Sequence, residues 1–585
     1  MPETETDQRD ARATGFVAEL RRRNVFRVAA TYAVAAWLVV QVADATFDVL
    51  GISAAIHRIV VLLALAGFPV ALILGWIFDW TSEGVVRTAD VDGTEPPLQR
   101  RRRVDVALAS IAALAVSSLV WLGWSEMESA SARESMSVVV LPFDDLSPER
   151  DRAYFAQGMS EELTNVLGRL PSLRVFGRTS AEAAKREGMD AARIHETMGA
   201  DAIVEGSVRR LPDRVRVSVQ LVEATTGNAI WSETYDRPVD DLFDLQSQLA
   251  TDVAGALDLR LRAAASAPPT RNLAAYDAYL TGRHLLGRQT PEMMVAAEDA
   301  FRQAVRTDPD FALAWSGLSD VLSLSWAVGF VRDPSYVDRA FEAAERAVQA
   351  DPESAEAQTS LARTLWMKRD WRAAEAALTK AIDSNPGYAF AYQSLALVLM
   401  NLGEFERGLA ASHRSVDLDP LSPYMFVNLS TSYDAARDHD NAARFALRAR
   451  DLEPQNPVAQ GMLVMNLLYA GRNDEAYTEF VAFPPAGLDP PEIAELKSAG
   501  PTAVWSAMLA WWDGQGFPCG GPAGPIFYAQ LDRTEEALGC LEWAIDLPGI
   551  YANIYVAHSA GLAPLEGEPR YRAALTEMGL PTEPL

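Results

Sequence analysis

Residues 351–386, DPESAEAQTSLARTLWMKRDWRAAEAALTKAIDSNP, carry Pro352 near the start and Pro386 at the end. Pro420 and Pro454 continue the series, so four prolines stand 34 residues apart in three successive steps. A fixed period of that length marks stacked helical hairpins, each burying its apolar face against its neighbours. Within the unit, Leu361 and Leu365 share a face of a first helix at i, i+4, and Leu378 and Ala381 share a face of a second at i, i+3. Two positions must be small so that the two backbones can approach: Ala362 with Ala374, Ala396 with Gly408, Ser430 with Ala442 and, more loosely, Val464 with Ala476. Each proline follows the second helix, where it can begin the next helix but not prolong the old one.

The pattern extends in both directions. Upstream, Ala297, Phe301, Ala304 and Pro309 repeat the second-helix spacing; the next unit opens with Trp315 and Leu318 and ends at Pro352. That unit is 43 residues long, which places about nine extra residues in its turn, around Ser325 to Tyr336. Downstream, Ala537, Leu541 and Ala544 give one more second helix after a Pro/Gly-rich stretch, 484–526, expected to be a loop with short helices. From about 272 to 580 the chain resembles the tetratricopeptide repeat family, with repeats over 272–483 and a C-terminal hairpin and cap over 527–585.

The resemblance implies an all-α superhelix whose concave wall comes from the first helix of each hairpin. Here that wall reads Glu356, Thr359, Arg363 and Trp366, then Phe390, Gln393, Leu397 and Met400. The next units add Tyr424, Val427, Thr431 and Asp434, then Val458, Gly461, Met465 and Leu468. The surface is mixed, with aromatic and Met anchors. Arg363 and Gln393 are the only candidates for clamping a terminal carboxylate, too few for that mode, so the wall is expected to bind a protein or peptide segment with apolar side chains.

The formal net charge is −27, yet up to Arg103 there are 12 basic and 12 acidic residues, so the excess lies beyond. An acidic distal region repels phosphate and excludes nucleic acid as a partner. Three apolar stretches fill the beginning: about 28–50, 59–78 and 106–124. Each is close to the roughly 20 residues that cross a bilayer, and Trp76, Trp80, Trp121 and Trp124 cluster at their ends. Arg21, Arg22, Arg23 and Arg27 precede the first stretch and Arg100 to Arg103 the third, against only His57 and Arg58 between the first two. The positive-inside rule then expects a multi-pass anchor in a bacterial inner membrane, with 1–27 and the 80–103 loop cytoplasmic and everything after Trp124 periplasmic. Cys519 and Cys540, the only cysteines, could pair there; Cys540 reads equally well as a small buried hydrophobe.

Between the polar linkers 125–136 and 263–270 the texture is α/β. Strands are expected at 138–143, 173–176, 202–208, 215–221 and 229–235, with Thr226-Gly227-Asn228 as a hairpin turn, and helices at 154–170, 181–198 and 242–259. The runs SVVVLPFDDLS (137–147), FAQGMSEELTNVL (155–167), LRVFGRTSA (173–181), GADAIVEGSV (199–208) and TTGNAIWSETYDR (225–237) resemble the TolB amino-terminal-like domain, also described as FlgO-like. That module occurs in bacterial envelope proteins, and the run FVAELRRRNVFRVAATYAVAAWLVVQVAD (16–44) is similar to membrane segments that precede it. The resemblance implies the order membrane helices, α/β domain at 137–262, repeats. Its relatives sometimes carry a cytoplasmic DNA-binding or nucleotide cyclase domain, and neither is read before the first span here.

No catalytic constellation emerges: no phosphate-cradling Gly-rich loop, no His-Glu-x-x-His, no Gly-x-Ser-x-Gly elbow, and six scattered histidines. Asp144-Asp145 and Glu161-Glu162 read as acids at a strand end and a helix N-terminus. The expectation is a multidomain, non-enzymatic protein without cofactor or metal, acting as a membrane-anchored periplasmic scaffold. The alternative is a transmembrane receptor coupled to a separate cytoplasmic effector.

Overall fold

The computed structural model describes residues 136–147, 153–257 and 269–482 almost without interruption, most of 496–545 and 559–582, and short pieces of the first 134 residues. It divides into two units, Met1–Glu134 and Ser135–Leu585. In the first unit, Tyr32, Val34, Ala36 and Trp37 are helical, and β1 (Phe78–Thr81) pairs antiparallel with β2 (Gly84–Arg87). The expected spans otherwise lie outside the described residues. Among the described residues no helix is long and apolar enough to cross a membrane.

The second unit begins with a mixed sheet. Its strands are β3 (Met136–Val140), β4 (Asp144–Asp145), β5 (Leu173–Val175), β6 (Ala202–Arg210), β7 (Arg214–Glu223) and β8 (Ala229–Pro238), in the order β5-β3-β6-β7-β8 with β4 also on β6. β3 runs parallel to β5 and β6; β7 and β8 complete an antiparallel meander. The alternation seen in the sequence puts Val215, Val217, Val219 and Leu221 into the core and leaves Arg216 exposed. One sheet face packs on α1 (Ala153–Gly168) and α4 (Leu242–Ala256), the other on α2 (Arg178–Arg186) and α3 (Ala191–Met198). Two expectations are corrected here. The helix read over 181–198 is two helices, because the chain turns through Gly188 at φ 61° and Asp190 caps a new start at Arg193 N. Glu161 and Glu162 sit mid-helix rather than at an N-terminus, since α1 already starts at Ala153.

Six helical hairpins follow: α5 (Leu273–Leu286) with α6 (Pro291–Thr307), α7 (Ala312–Ala327) with α8 (Ser335–Ala350), α9 (Ala355–Met367) with α10 (Trp371–Ser384), α11 (Ala389–Asn401) with α12 (Phe405–Leu418), α13 (Pro423–Ala435) with α14 (His439–Leu452), and α15 (Pro457–Tyr469) with α16 (Asn473–Ala482). From α5 onward each first helix touches the first helix of the next hairpin, building a continuous inner layer. The small pairs work as expected: Ala362, Ala374, Ala396 and Ala442 are buried, Ser430 Oγ donates to Ala442 O at 2.8 Å, and a Cβ on Gly408 would meet Met400 Cε at 2.6 Å. The extra residues of the second hairpin are not all in its turn; both of its helices are longer as well as the connection between them.

The 34-residue period is written into the backbone twice. Before each proline, Asp351, Asn385, Asp419 and Glu453 end the second helix at φ between −139° and −143°, since a residue preceding proline is driven out of the helical region. Within each hairpin, Arg369, Gly403, Arg437 and Gly471 turn the chain at φ between 62° and 74°. Glycine takes that conformation freely, whereas a side chain there is strained by about 1 kcal/mol. Both arginines reach the C-terminal region: Arg369 Nη2 donates to Ile545 O at 2.8 Å, and Arg437 pairs with Glu566 at 2.6 Å.

That region comprises α17 (Pro501–Gly514), α18 (Gly524–Gln530), α19 (Thr534–Ile545) and α20 (Pro569–Glu577). The 484–526 stretch is therefore less irregular than expected, since the whole of α17 lies inside it. The segment returns along the hairpin turns, with Trp371 Nε1 donating to Met578 O at 3.0 Å. Cys519 and Cys540 form a disulfide, Cα to Cα 5.4 Å, and Cys540 is buried, so the pairing and not the unpaired small hydrophobe is what the structure holds.

Candidate protein-interaction surface

The inner layer of first helices is the wall expected to bind a partner, and the structure divides it. Glu356, Thr359, Trp366, Gln393, Met400 and Met465 are buried within the chain; Arg363, Phe390 and Val427 are half-buried; Tyr424 is exposed. Exposure rises along one row of equivalent positions, from 7% at Glu356 to 51% at Tyr424 and 53% at Val458. The rings of Tyr388, Phe390 and Tyr424 follow one another with centroids 6.1 Å apart. Gly461 leaves open space where a side chain would stand. The open part of the wall is thus an apolar and aromatic strip on the fourth to sixth hairpins.

The polar candidates are engaged. Arg363 pairs with Asp320 at 3.1 Å, and that carboxylate, which also accepts from Ser360 Oγ at 2.8 Å, holds the guanidinium pKa above its ordinary value. Gln393 Nε2 donates to Asn428 Oδ1 at 2.9 Å across two hairpins. Neither is a cation or amide waiting for a carboxylate, because each is already paired inside the wall.

The α/β domain meets the repeats at two places. At the first the cores merge: Tyr276 of α5 stacks edge-on against Phe243 of α4 at 5.4 Å and accepts from Gln246 Nε2 at 2.9 Å. Leu280 fills the space above Gly158 of α1, where a Cβ would come within 2.4 Å. Arg210, buried at the end of β6 and lying over the Phe155 ring, makes a bidentate pair with Asp277 of α5 at 2.7 and 3.0 Å.

At the second place the domain touches the turns between hairpins. Gly168 O at the end of α1 accepts from Gly387 N at 3.2 Å. Around the next such turn, Gly177 N donates to Leu418 O at 2.6 Å and Arg174 donates to Asp417 O. Asp419 accepts from Ser180 N at 2.7 Å and from Ser180 Oγ, which in turn accepts from Leu421 N at 2.8 Å. Helix α2 has no side-chain cap of its own at Gly177, and the carboxylate of Asp419, from another domain, takes that place.

Charge is concentrated where α1 faces the early hairpins. Burial raises the Glu161 carboxyl, but Arg178 at 2.9 Å and Arg283 at 3.0 Å outweigh it and keep the group below the ordinary range. Its neighbour Glu162 is pushed up to about 7, first by burial and then by the charge of Glu356. Burial also raises Asp419, against the pull of its bonds to Ser180. Among the described residues no group of three or more His, Cys, Asp or Glu side chains could hold a metal ion. The arrangement offers contact area and hydrogen bonding.

Sequence reasoning missed Gly177, Ser180 and Asp419. Asp419 stands where Asp308, Asp351 and Asn385 stand in other hairpins, and those three cap their own turns by accepting from the backbone N of Asp310, Glu353 and Gly387. Nothing local separates the acid that caps at home from the one that reaches out.

Comparison with known proteins agrees on the repeats. The model of the tetratricopeptide repeat family matches residues 337–389 and 394–457. A protein of Rhizobium meliloti (strain 1021) named "Putative adenylate cyclase 3" is 30% identical over 243 residues, covering 40% of this chain and 41% of its own. The chain therefore spans about two-fifths of that relative. Among solved structures, TTC0263, a thermophilic tetratricopeptide repeat protein of Thermus thermophilus, shares 20% identity, covering 33% of this chain and all of its own, with a TM-score of 0.30. PilW, described as a type IV pilus biogenesis factor, shares 16% over 37% of this chain and 96% of its own, with a TM-score of 0.31. YrrB, described as having an unusual peptide-binding site, shares 19% over 34% of this chain and 92% of its own, with a TM-score of 0.23.

Proposed function

We propose that this chain is a scaffold anchored in a bacterial inner membrane, with the α/β domain and repeats in the periplasm and the inner wall holding an apolar segment of a partner protein. The observation that carries the binding role is the strip where Tyr424 and Val458 are exposed beside half-buried Phe390 and Val427, on a wall most of whose other positions are buried or half-buried. The apolar stretches and arginine clusters of the first 124 residues support the anchor and its orientation. The likeness of the α/β sequence to the TolB amino-terminal-like domain supports the envelope compartment.

A photo-crosslinking residue placed at Tyr424 in intact cells should trap a protein partner. The same residue at Leu447, exposed on a second helix, should trap little. Equal yields would remove the assignment of the wall. A periplasmic reporter fused after residue 270 should be active, and a cytoplasmic reporter at the same point silent; the reverse would remove the compartment.

A second reading is a receptor that passes a periplasmic signal to a separate cytoplasmic effector. It is favoured by the partial likeness to a protein named as an adenylate cyclase. Crosslinking from the 1–27 and 80–103 segments separates the readings, since only the receptor requires a cytoplasmic partner there.

A further inference from the structure

We infer that the Asp419 turn and the N-terminus of α2 form a clasp, which closes the repeat superhelix on the α/β domain and opens while the merged core stays intact. The two attachments differ in kind. The first is a continuous apolar core with a bidentate ion pair, and it cannot part without exposing Tyr276, Phe243 and Leu280 to water. The second is a set of hydrogen bonds, to which Leu421 adds a buried apolar side chain and Leu452 a half-buried one. Two hairpins lie between the merged core and the Gly387 contact and three between the merged core and Asp419, and in a stack where each unit contacts only its neighbours a small rotation at every interface adds up to a wide opening.

The geometry is built for a join between domains. A Cβ on Gly177 would stand 2.6 Å from the Asp419 carboxylate carbon, so the acid reaches its position only because residue 177 is glycine. At Gly177 φ is −65°, so the glycine is not required by the backbone. Ser180 and Asp419 are both buried, and each satisfies the other. The consequence for binding rests on the inner wall being the partner site. With the clasp closed a partner meets only the strip around Tyr424 and Val458, and Glu356, facing Glu162 of α1, is withheld. The clasp itself does not depend on that reading, and its test needs no partner.

Hydrogen exchange on the full-length protein decides it. In Asp419→Ala the amides of Gly177, Ser180 and Leu421 should exchange about five- to tenfold faster, the loss typical of a removed helix cap, while β6 and β7 keep their protection. Gly177→Ala should do the same from the other side without altering the repeats. Asp351→Ala, which removes the equivalent acid of another hairpin, should leave the α2 amides unchanged. Unchanged exchange at Gly177 and Ser180 in both clasp variants would overturn the inference. So would loss of protection in β6 and β7 together with the clasp, because the two attachments would then open as one.

Discussion

The α/β domain is joined to the repeats by two interfaces of opposite character. One merges Tyr276, Leu280 and Phe243 into a single core, sealed by Arg210 and Asp277. The other meets mainly at backbone groups and one buried carboxylate, with Leu421 as its buried apolar side chain. Apolar burial scales with area and resists partial opening, whereas a hydrogen-bonded join can exchange its partners for water at a net cost of about 1 kcal/mol per bond. The merged interface therefore fixes where the domain sits, and the polar one is where movement is inexpensive.

The comparison can be broken most directly at Tyr276. Tyr276→Ala should cost about 3–5 kcal/mol in global stability, as for other large aromatic deletions from a core, measured by denaturant unfolding; a loss under about 1 kcal/mol would mean that the two cores are not one. Asp277→Ala should cost about 3 kcal/mol by the same measurement, because it leaves the buried Arg210 guanidinium without its bidentate partner. Asp419→Ala should change global stability by only about 1 kcal/mol, and an effect as large as that of Tyr276→Ala would erase the distinction between the interfaces.

The smallest effect concerns pH. The Glu162 carboxyl, about 7 in the folded chain against 4.5 ordinarily, binds its proton more tightly when folded. The stability it contributes is complete below the ordinary value and disappears as pH rises through about 7. At pH 8, Glu162→Gln should raise the melting temperature by about 1–2 °C, and at pH 4 it should do nothing. A variant that melts lower at pH 8 would show that the charge is stabilised where it sits.

The repeats were legible because their cause is local and recurs. Small residues at Ala362 and Ala374, and a proline every 34 residues, state the hairpin without reference to anything distant. The strands of the α/β domain were legible for the same reason, through the alternation of Val215 to Leu221. The wall was legible as a set of residues but not as a surface. Trp366 looks the same in sequence whether it faces a partner or lies buried, as it does here among residues of the C-terminal region. The roles of Glu161 and Glu162 were not legible, because their partners Arg178, Arg283 and Glu356 lie on other elements. The break at Gly188 was missed because Ala181 to Met198 keeps a helical spacing across it.

Asp308, Asp351, Asn385 and Asp419 present a side-chain oxygen acceptor at one place in successive hairpins, a graduated scale along the edge of the stack. The α/β domain, fixed at the zero mark by Tyr276 and Asp277, meets that scale at two adjacent divisions, beside Asn385 through Gly168 and at Asp419 through Ser180. It acts as a gauge of hairpin number. A repeat inserted or deleted between α6 and α12 would bring the wrong division under Gly177, whereas the tally after α14 is under no such constraint from α2. Lineages of this architecture should accordingly vary in length beyond the clasp and hold their count before it.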